Sequence, residues 1–127
     1  MTTTLSIVTS AYRATLEEQD DTILWLNHML ANSGIDVSIV LQGNAVNYAV
    51  RDQSAAGLRI GDVDVAHPPA LDRDVAALID NGADVYYIRE DLDVRGVPEA
   101  RLVGGVRAIG RKDLPELLDG FDHVWAW

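Results

Sequence analysis

The sequence predicts an α/β protein, a three-layer α/β/α sandwich on a mostly parallel sheet of about five strands. Short β-branched and apolar runs recur along the chain, and segments of helical period separate them, which is how a parallel sheet with helices on both faces is wound. The runs Asp36 to Leu41 and Ala83 to Ile88 carry too few polar residues for strands with one wet face, so helices must cover both sides. With 127 residues, 48% of them hydrophobic, the chain has material for one core, and residues 1–127 are expected to form a single domain.

Each element has its own signal. Leu5 to Ser10 is hydrophobic and hydroxyl-rich without helical period, and is expected to be the first strand. Thr15 and Glu18 stand at capping-box spacing, and Leu16, Ile23, Leu26 and Leu30 follow at helical intervals, so a helix is expected from about Leu16 to Asn32 with Gly34 as its stop. Asp36 to Leu41 is the next strand; Gln42, Gly43 and Asn44 turn the chain into a short helix over Ala45 to Val50. Val63 and Val65 alternate with Asp62 and Asp64, an edge strand or extended loop that Pro68-Pro69 ends. Asp72 to Asp80 restores helical period, with Asn81-Gly82 as its exit, and Ala83 to Ile88 is a strand. Leu92 to Val94 suggests one helical turn closed by Gly96, and Arg101 to Ile109 a strand kinked at Gly104-Gly105. Asp113 and Glu116 bracket a second capping box with Pro115 in the first turn, and His123 to Trp127 closes the sheet.

Charge and composition exclude several functions. Twenty acidic residues against ten basic ones give a net charge of −10, which repels bare nucleic acid and anionic membrane. No apolar run approaches the ~18 residues that cross a bilayer, and Met1 to Ser10 lacks the basic start of a signal peptide, so a cytoplasmic protein is expected. Cysteine is absent, which removes disulfides, thiolate metal ligands and any reaction in which this chain itself carries sulfur.

In an open α/β sheet, ligands gather beyond the carboxyl ends of the strands. Ser10 to Arg13, Gln42 to Asn44 and Arg89 to Asp93 fall there. The first of these has no glycine, so neither a dinucleotide fingerprint nor a phosphate-cradling loop is expected, and no cofactor is assigned. Arg89, Glu90 and Asp91 could meet a polar ligand or partner; equally, they could form a solvated loop in which Asp91 pairs with Arg95 at helical spacing. Glu17-Glu18 and Asp20-Asp21 suit the positive end of a helix dipole, which accounts for them without a catalytic dyad. His28, His67 and His123 have no metal-ligand spacing, and Ser10 lacks the glycines of a nucleophile elbow, so neither a metal site nor a Ser-His-Asp triad is assigned. Period-two alternation sends Trp125 and Trp127 to one face, where they cover the core or anchor a subunit contact.

The order of these segments resembles a known family. The Gln42-Gly43-Asn44-Ala45-Val46 turn, the run from Gly82 through Tyr86-Tyr87-Ile88-Arg89-Glu90-Asp91-Leu92 to Arg95-Gly96-Val97, and the closing Asp122 to Trp127 are similar to the DsrE/DsrF/DsrH-like (TusBCD-like) sulfur-relay superfamily over nearly the whole chain. The resemblance implies a small α/β/α fold that assembles as homotrimers, homohexamers or mixed hexamers. Active members carry a persulfide-forming cysteine at the end of the strand that here reads Val85 to Ile88; the corresponding place is Ile88, beside Arg89, and neither can hold sulfur. The turn and the tryptophan-rich terminus look closer to the DsrH-like branch, whose members can lack that cysteine.

The expectation is therefore a non-catalytic, structural or partner-binding subunit associated with sulfur relay, not an enzyme. Its partners would be further copies of itself or a cysteine-bearing DsrE-like chain. The alternative is a self-sufficient homo-oligomer that binds a small polar ligand unrelated to sulfur transfer. The candidate ligand- or partner-binding residues are Tyr12, Asn44, Ile88, Arg89, Glu90 and Asp91.

Overall fold

Residues 2–11, 22–53, 57, 59–64 and 70–127 are described by the computed structural model. Its first half runs through β1 (Thr3–Val8), α1 (Thr22–Asn32), β2 (Asp36–Leu41), a 3₁₀ segment (Gly43–Ala49) and a small pair of strands, β3 (Arg59–Ile60) and β4 (Val63–Asp64). The second half runs through α2 (Leu71–Asp80), β5 (Asp84–Ile88), α3 (Arg89–Val94), β6 (Arg107–Ile109), α4 (Leu114–Asp119) and β7 (His123–Ala126). The main sheet has five strands in the order β6-β5-β2-β1-β7, every neighbouring pair parallel. The predicted α/β class and parallel sheet are thus observed.

Alternation along the strands fills both faces. Val8, Ile39, Leu41, Val85 and Tyr87 pack on one side against Ile23 and Leu24 of α1, Val46 and Tyr48 of the 3₁₀ segment, and Val75 and Leu78 of α2. Leu5, Val40 and Ile88 face the other side, beneath Leu114, Leu117 and Leu118 of α4 and Phe121. Ile39, Leu41, Leu78 and Ile88 are fully buried, a burial that stabilises by about 1.5–3 kcal/mol for each such side chain. Among the described residues the two outer layers are unequal, because the second is one six-residue helix whose apolar residues stay half-buried.

Two polar residues cross the larger core. Ser6 and Asn27 are fully buried, and the Ser6 hydroxyl donates to Asn27 Oδ1 at 2.7 Å. Asn27 Nδ2 donates to the Ile23 carbonyl at 2.9 Å, and the Trp127 indole N–H reaches Ser6 Oγ at 3.4 Å. This chain of bonds joins α1, β1 and the end of β7, and satisfies groups that would otherwise be costly to bury. At the opposite end of β7, the Thr3 amide donates to Asp122 Oδ2 at 2.9 Å and the Asp122 amide to the Thr3 carbonyl at 3.1 Å.

Several expectations need correction. The first strand spans Thr3–Val8 instead of Leu5 to Ser10, and the segment after Gly43 is a 3₁₀ segment where an α-helix was expected. Val63 and Asp64 pair antiparallel with Arg59 and Ile60 in a separate hairpin, away from the main sheet. Of the long strand expected over Arg101 to Ile109, only Arg107–Ile109 forms. A 3₁₀ turn occupies Glu99–Arg101, Leu102 bridges antiparallel to Val50, and Gly105 breaks the chain at φ +97. A Cβ at Gly105 would stand 3.0 Å from Ile79 Cγ2, so both the left-handed backbone and the approach to α2 require glycine there. Asp113 does not cap α4 through its side chain, because a 3₁₀ turn over Arg111–Asp113 runs straight into the helix. The capping box of Thr15 and Glu18, the acidic pairs that follow it, Val65, His67 and Pro68-Pro69 lie outside the described residues.

The Ser6–Asn27 bond is expected to bind α1 to the sheet energetically. Ser6→Ala and Asn27→Ala should each cost about 1–3 kcal/mol in urea unfolding, and the double variant should cost less than the sum of the two. Strict additivity would show that the two side chains do not act together.

Candidate functional site

The C-terminal ends of β2, β5 and β6 converge, and the site is built from the residues that follow them. β5 passes directly into α3: Ile88 is still extended (φ −78, ψ 115) and Arg89 opens the helix. Arg89, Glu90 and Asp91 are therefore the first helical turn, not the loop their charge suggested. Asp91 is almost entirely buried. Its Oδ2 accepts the Gly43 amide at 2.7 Å, and its Oδ1 pairs with the Arg111 guanidinium. Gly43 sits just past β2 at φ +59, a left-handed conformation that glycine adopts without strain, and this aims its N–H at the carboxylate. Arg111 sits just past β6, so one carboxylate ties together the ends of three strands.

Glu90 reinforces this closure. Its Oε2 accepts the Arg111 backbone amide at 2.8 Å, and that bond, with lesser help from the Arg111 and Arg89 charges, holds its carboxyl below the usual glutamate range. Buried Gly110 between them leaves little room, since a Cβ there would lie 3.1 Å from Asp113 Oδ2 and 3.6 Å from Glu90 Oε1.

The remaining predicted residues are bonded as well. Asn44 Oδ1 accepts from Arg95 Nη2 at 2.6 Å, while Arg95 Nη1 donates to the Asp91 carbonyl at 2.8 Å. The expected side-chain pair between Asp91 and Arg95 does not form, because the carboxylate is turned toward Gly43 and Arg111 and the guanidinium toward the helix carbonyl. Arg89 lies 3.9 Å from Glu99, which also accepts the Tyr87 hydroxyl at 3.1 Å. Burial, and then this bond to Glu99, push the Tyr87 phenol up. The structure thus gathers Asn44, Glu90 and Asp91 into one network and places Arg89 at its border. Ile88 does not join them: its side chain is buried beneath α4 on the other face. Tyr12 lies outside the described residues.

Sequence reasoning missed Gly43 as a donor and Arg111 altogether, and it placed Arg95 beside Asp91 but not on Asn44. Arg111 was accessible in principle: the strand expected over Arg101 to Ile109 ends where β6 does, so the strand-end rule that singled out Gln42 to Asn44 and Arg89 to Asp93 reaches Arg111 as well. Chemically, the network offers a rigid rim in which carboxylates and guanidinium groups neutralise one another. Among the described residues, no three His, Asp or Glu side chains come together as metal ligands. His28 is engaged with Asn81 at 2.6 Å. No described helix is long and apolar enough to cross a membrane.

No protein-family model matches the sequence, and no curated protein matches it significantly. Solved structures do match. The ychN protein of E. coli superposes with a TM-score of 0.72 over 100% of both chains, at 18% identity. The chain has a YchN-like fold. BT1422 of Bacteroides thetaiotaomicron follows with a TM-score of 0.68 and 14% identity, covering 98% of this chain and 94% of that one. MTH1491 of Methanobacterium thermoautotrophicum gives 0.62 and 15%, covering 98% and 99%. Both are described as proteins of unknown function, and the likeness in all three is one of fold. Within this YchN-like fold, the strand-end rim is the place where Asn44, Glu90 and Asp91 meet.

The lowered pKa of Glu90 sets the pH dependence of the rim. Because it is depressed in the folded state, the stability it contributes is present above the ordinary glutamate value of about 4.3 and disappears as pH falls through the folded pKa. Glu90→Gln should therefore flatten this acid loss in pH-dependent melting. An unchanged acid limb would show that the Arg111 amide does not hold the carboxylate in solution.

Proposed function

We propose that this chain is a non-catalytic DsrE-like subunit that serves a structural or partner-binding role in a sulfur-relay assembly. The observation that carries the proposal is the strand-end network itself. Asn44, Glu90, Asp91, Arg95 and Arg111 are hydrogen-bonded to one another, and Asp91 also to the Gly43 amide. The position that the DsrE-like resemblance assigns to the sulfur-bearing residue is a fully buried isoleucine, Ile88. A pocket that accepted sulfur would need a thiolate there with access to a donor; an aliphatic side chain packed under α4 serves the core instead. The YchN-like fold supports the family frame of this reading. Any sulfur would then be carried by a cysteine-bearing partner, with this chain supplying surface and rigidity.

Native mass spectrometry of the protein isolated from its own cells tests this. The expected result is an assembly, of this chain alone or with a cysteine-bearing partner, whose mass is the sum of its polypeptides. A persistent small extra mass on each copy would contradict it and favour a self-sufficient ligand-binding protein.

A further inference from the structure

An open groove of about 620 Å³ runs beside β7, outside the strand-end network. Leu26 and Leu30 of α1 form one wall, and the segment from Val124 to Trp127 forms the other. Spaced four residues apart, the two leucines stack on one face of the helix and make an aliphatic strip one turn long. The other wall is aromatic. Trp125 and Trp127 lie on the same face of their strand, and their rings meet edge to face, with 6.4 Å between centroids and 89° between planes.

This aromatic corner is held in place from behind. The Trp127 amide donates to the Ile7 carbonyl at 2.9 Å, its carbonyl accepts the Thr9 amide at 3.0 Å, and its indole N–H reaches the fully buried Ser6 hydroxyl at 3.4 Å. Trp125 pairs in register with Ser6 of β1, and 39% of its surface stays exposed. A corner anchored in this way exists before anything enters it, which spares an occupant the cost of ordering it. The geometry also selects chemistry. A flat hydrocarbon lies against one ring of a perpendicular pair, whereas a cation in the corner is attracted by the electron-rich faces of both.

We propose that this groove receives an arginine side chain of a basic partner protein, its stem along Leu26 and Leu30 and its guanidinium in the corner of Trp125 and Trp127. The proposal deepens the partner-binding reading and rests on it. Three features select this occupant. A net charge of −10 draws a basic surface toward the chain and speeds its encounter. Small molecules favour sites that enclose most of their surface, and an open groove covers one side only, so the occupant is a side chain whose other side its own protein covers. Arginine matches both walls, since its stem packs on aliphatic surface while its planar, weakly hydrated head stacks on an aromatic face.

An NMR titration of the nitrogen-15-labelled full chain with N-acetylarginine methylamide, read at the indole N–H signals of Trp125 and Trp127, tests the groove. The blocked arginine should shift both signals saturably. Its effect should exceed that of the neutral isostere N-acetylcitrulline methylamide and that of tetramethylammonium, which has the charge without the stem. Trp125→Leu should abolish the shift at Trp127, and Trp125→Phe, which keeps an aromatic face, should retain part of it, with circular dichroism verifying that both variants fold. An equal response to the citrulline compound would reveal apolar contact that ignores charge, and an equal or larger response to tetramethylammonium would make the occupant a free ammonium compound. Either result overturns the proposal, as does an undiminished shift in folded Trp125→Leu. The absence of any shift in the wild type, as when a second copy already fills the groove, overturns it too. None of these outcomes alters the mass of the native assembly, so the subunit reading stands or falls separately.

Discussion

A single carboxylate organises the end of the sheet where β2, β5 and β6 finish. Parallel strands deliver their C-terminal ends to one side of the sheet, where the connecting segments would splay apart unless something crosses between them. Asp91 does so, accepting the Gly43 amide that follows β2 while pairing with Arg111 that follows β6. Its own helix grows out of β5 without a linking residue. Hydrogen bonds to charged groups contribute about 1.5–3 kcal/mol in well-shielded positions, and Asp91 is shielded although the Arg111 side chain is half-exposed. The conformation of Gly43, the direct start of α3 and the Glu90 contact to the Arg111 amide all follow from this link. A rim tied together in this way presents a fixed surface, which suits a subunit that others contact.

The unequal layers point the same way. Among the described residues, one face of the sheet is covered by two long helices and a 3₁₀ segment, whereas the other has only α4, with Tyr86, Ile109 and Phe121 half-buried around it. Charge is distributed unevenly as well. Acidic residues crowd the loops and the outward faces of α2 and α3, while α1 and β7 carry none. Such a division separates the surfaces that keep the molecule in water from those suited to contact.

Much of the fold could be read from the sequence where local and global signals agree. Asp36–Leu41 emerges with the expected bounds, and α2 within one residue of them, because an apolar run and a helical period are each self-sufficient. The indoles of Trp125 and Trp127 lie together, 6.4 Å apart and edge to face, as strand alternation requires. Trp127 packs against the core, the first of the two roles weighed for the pair, while Trp125 is exposed. Failures arose where distant partners decide local structure. Glu90 and Asp91 resemble a polar loop until Arg111, about twenty positions away, and Gly43 are seen to hold them in a helical turn. The Gly104-Gly105 break was visible only as a kink, because the helix it passes, at Ile79, is not a sequence neighbour.

The account stands on a strand-end crevice that is closed by its own side chains. Amide hydrogen exchange at Gly43 measures that closure directly. With its N–H held by the buried Asp91 carboxylate, it should exchange as slowly as the amides within β2, and Asp91→Ala should release it. Exchange of the wild-type Gly43 amide at the rate of an unstructured chain would mean that the crevice is open, and the account would fail.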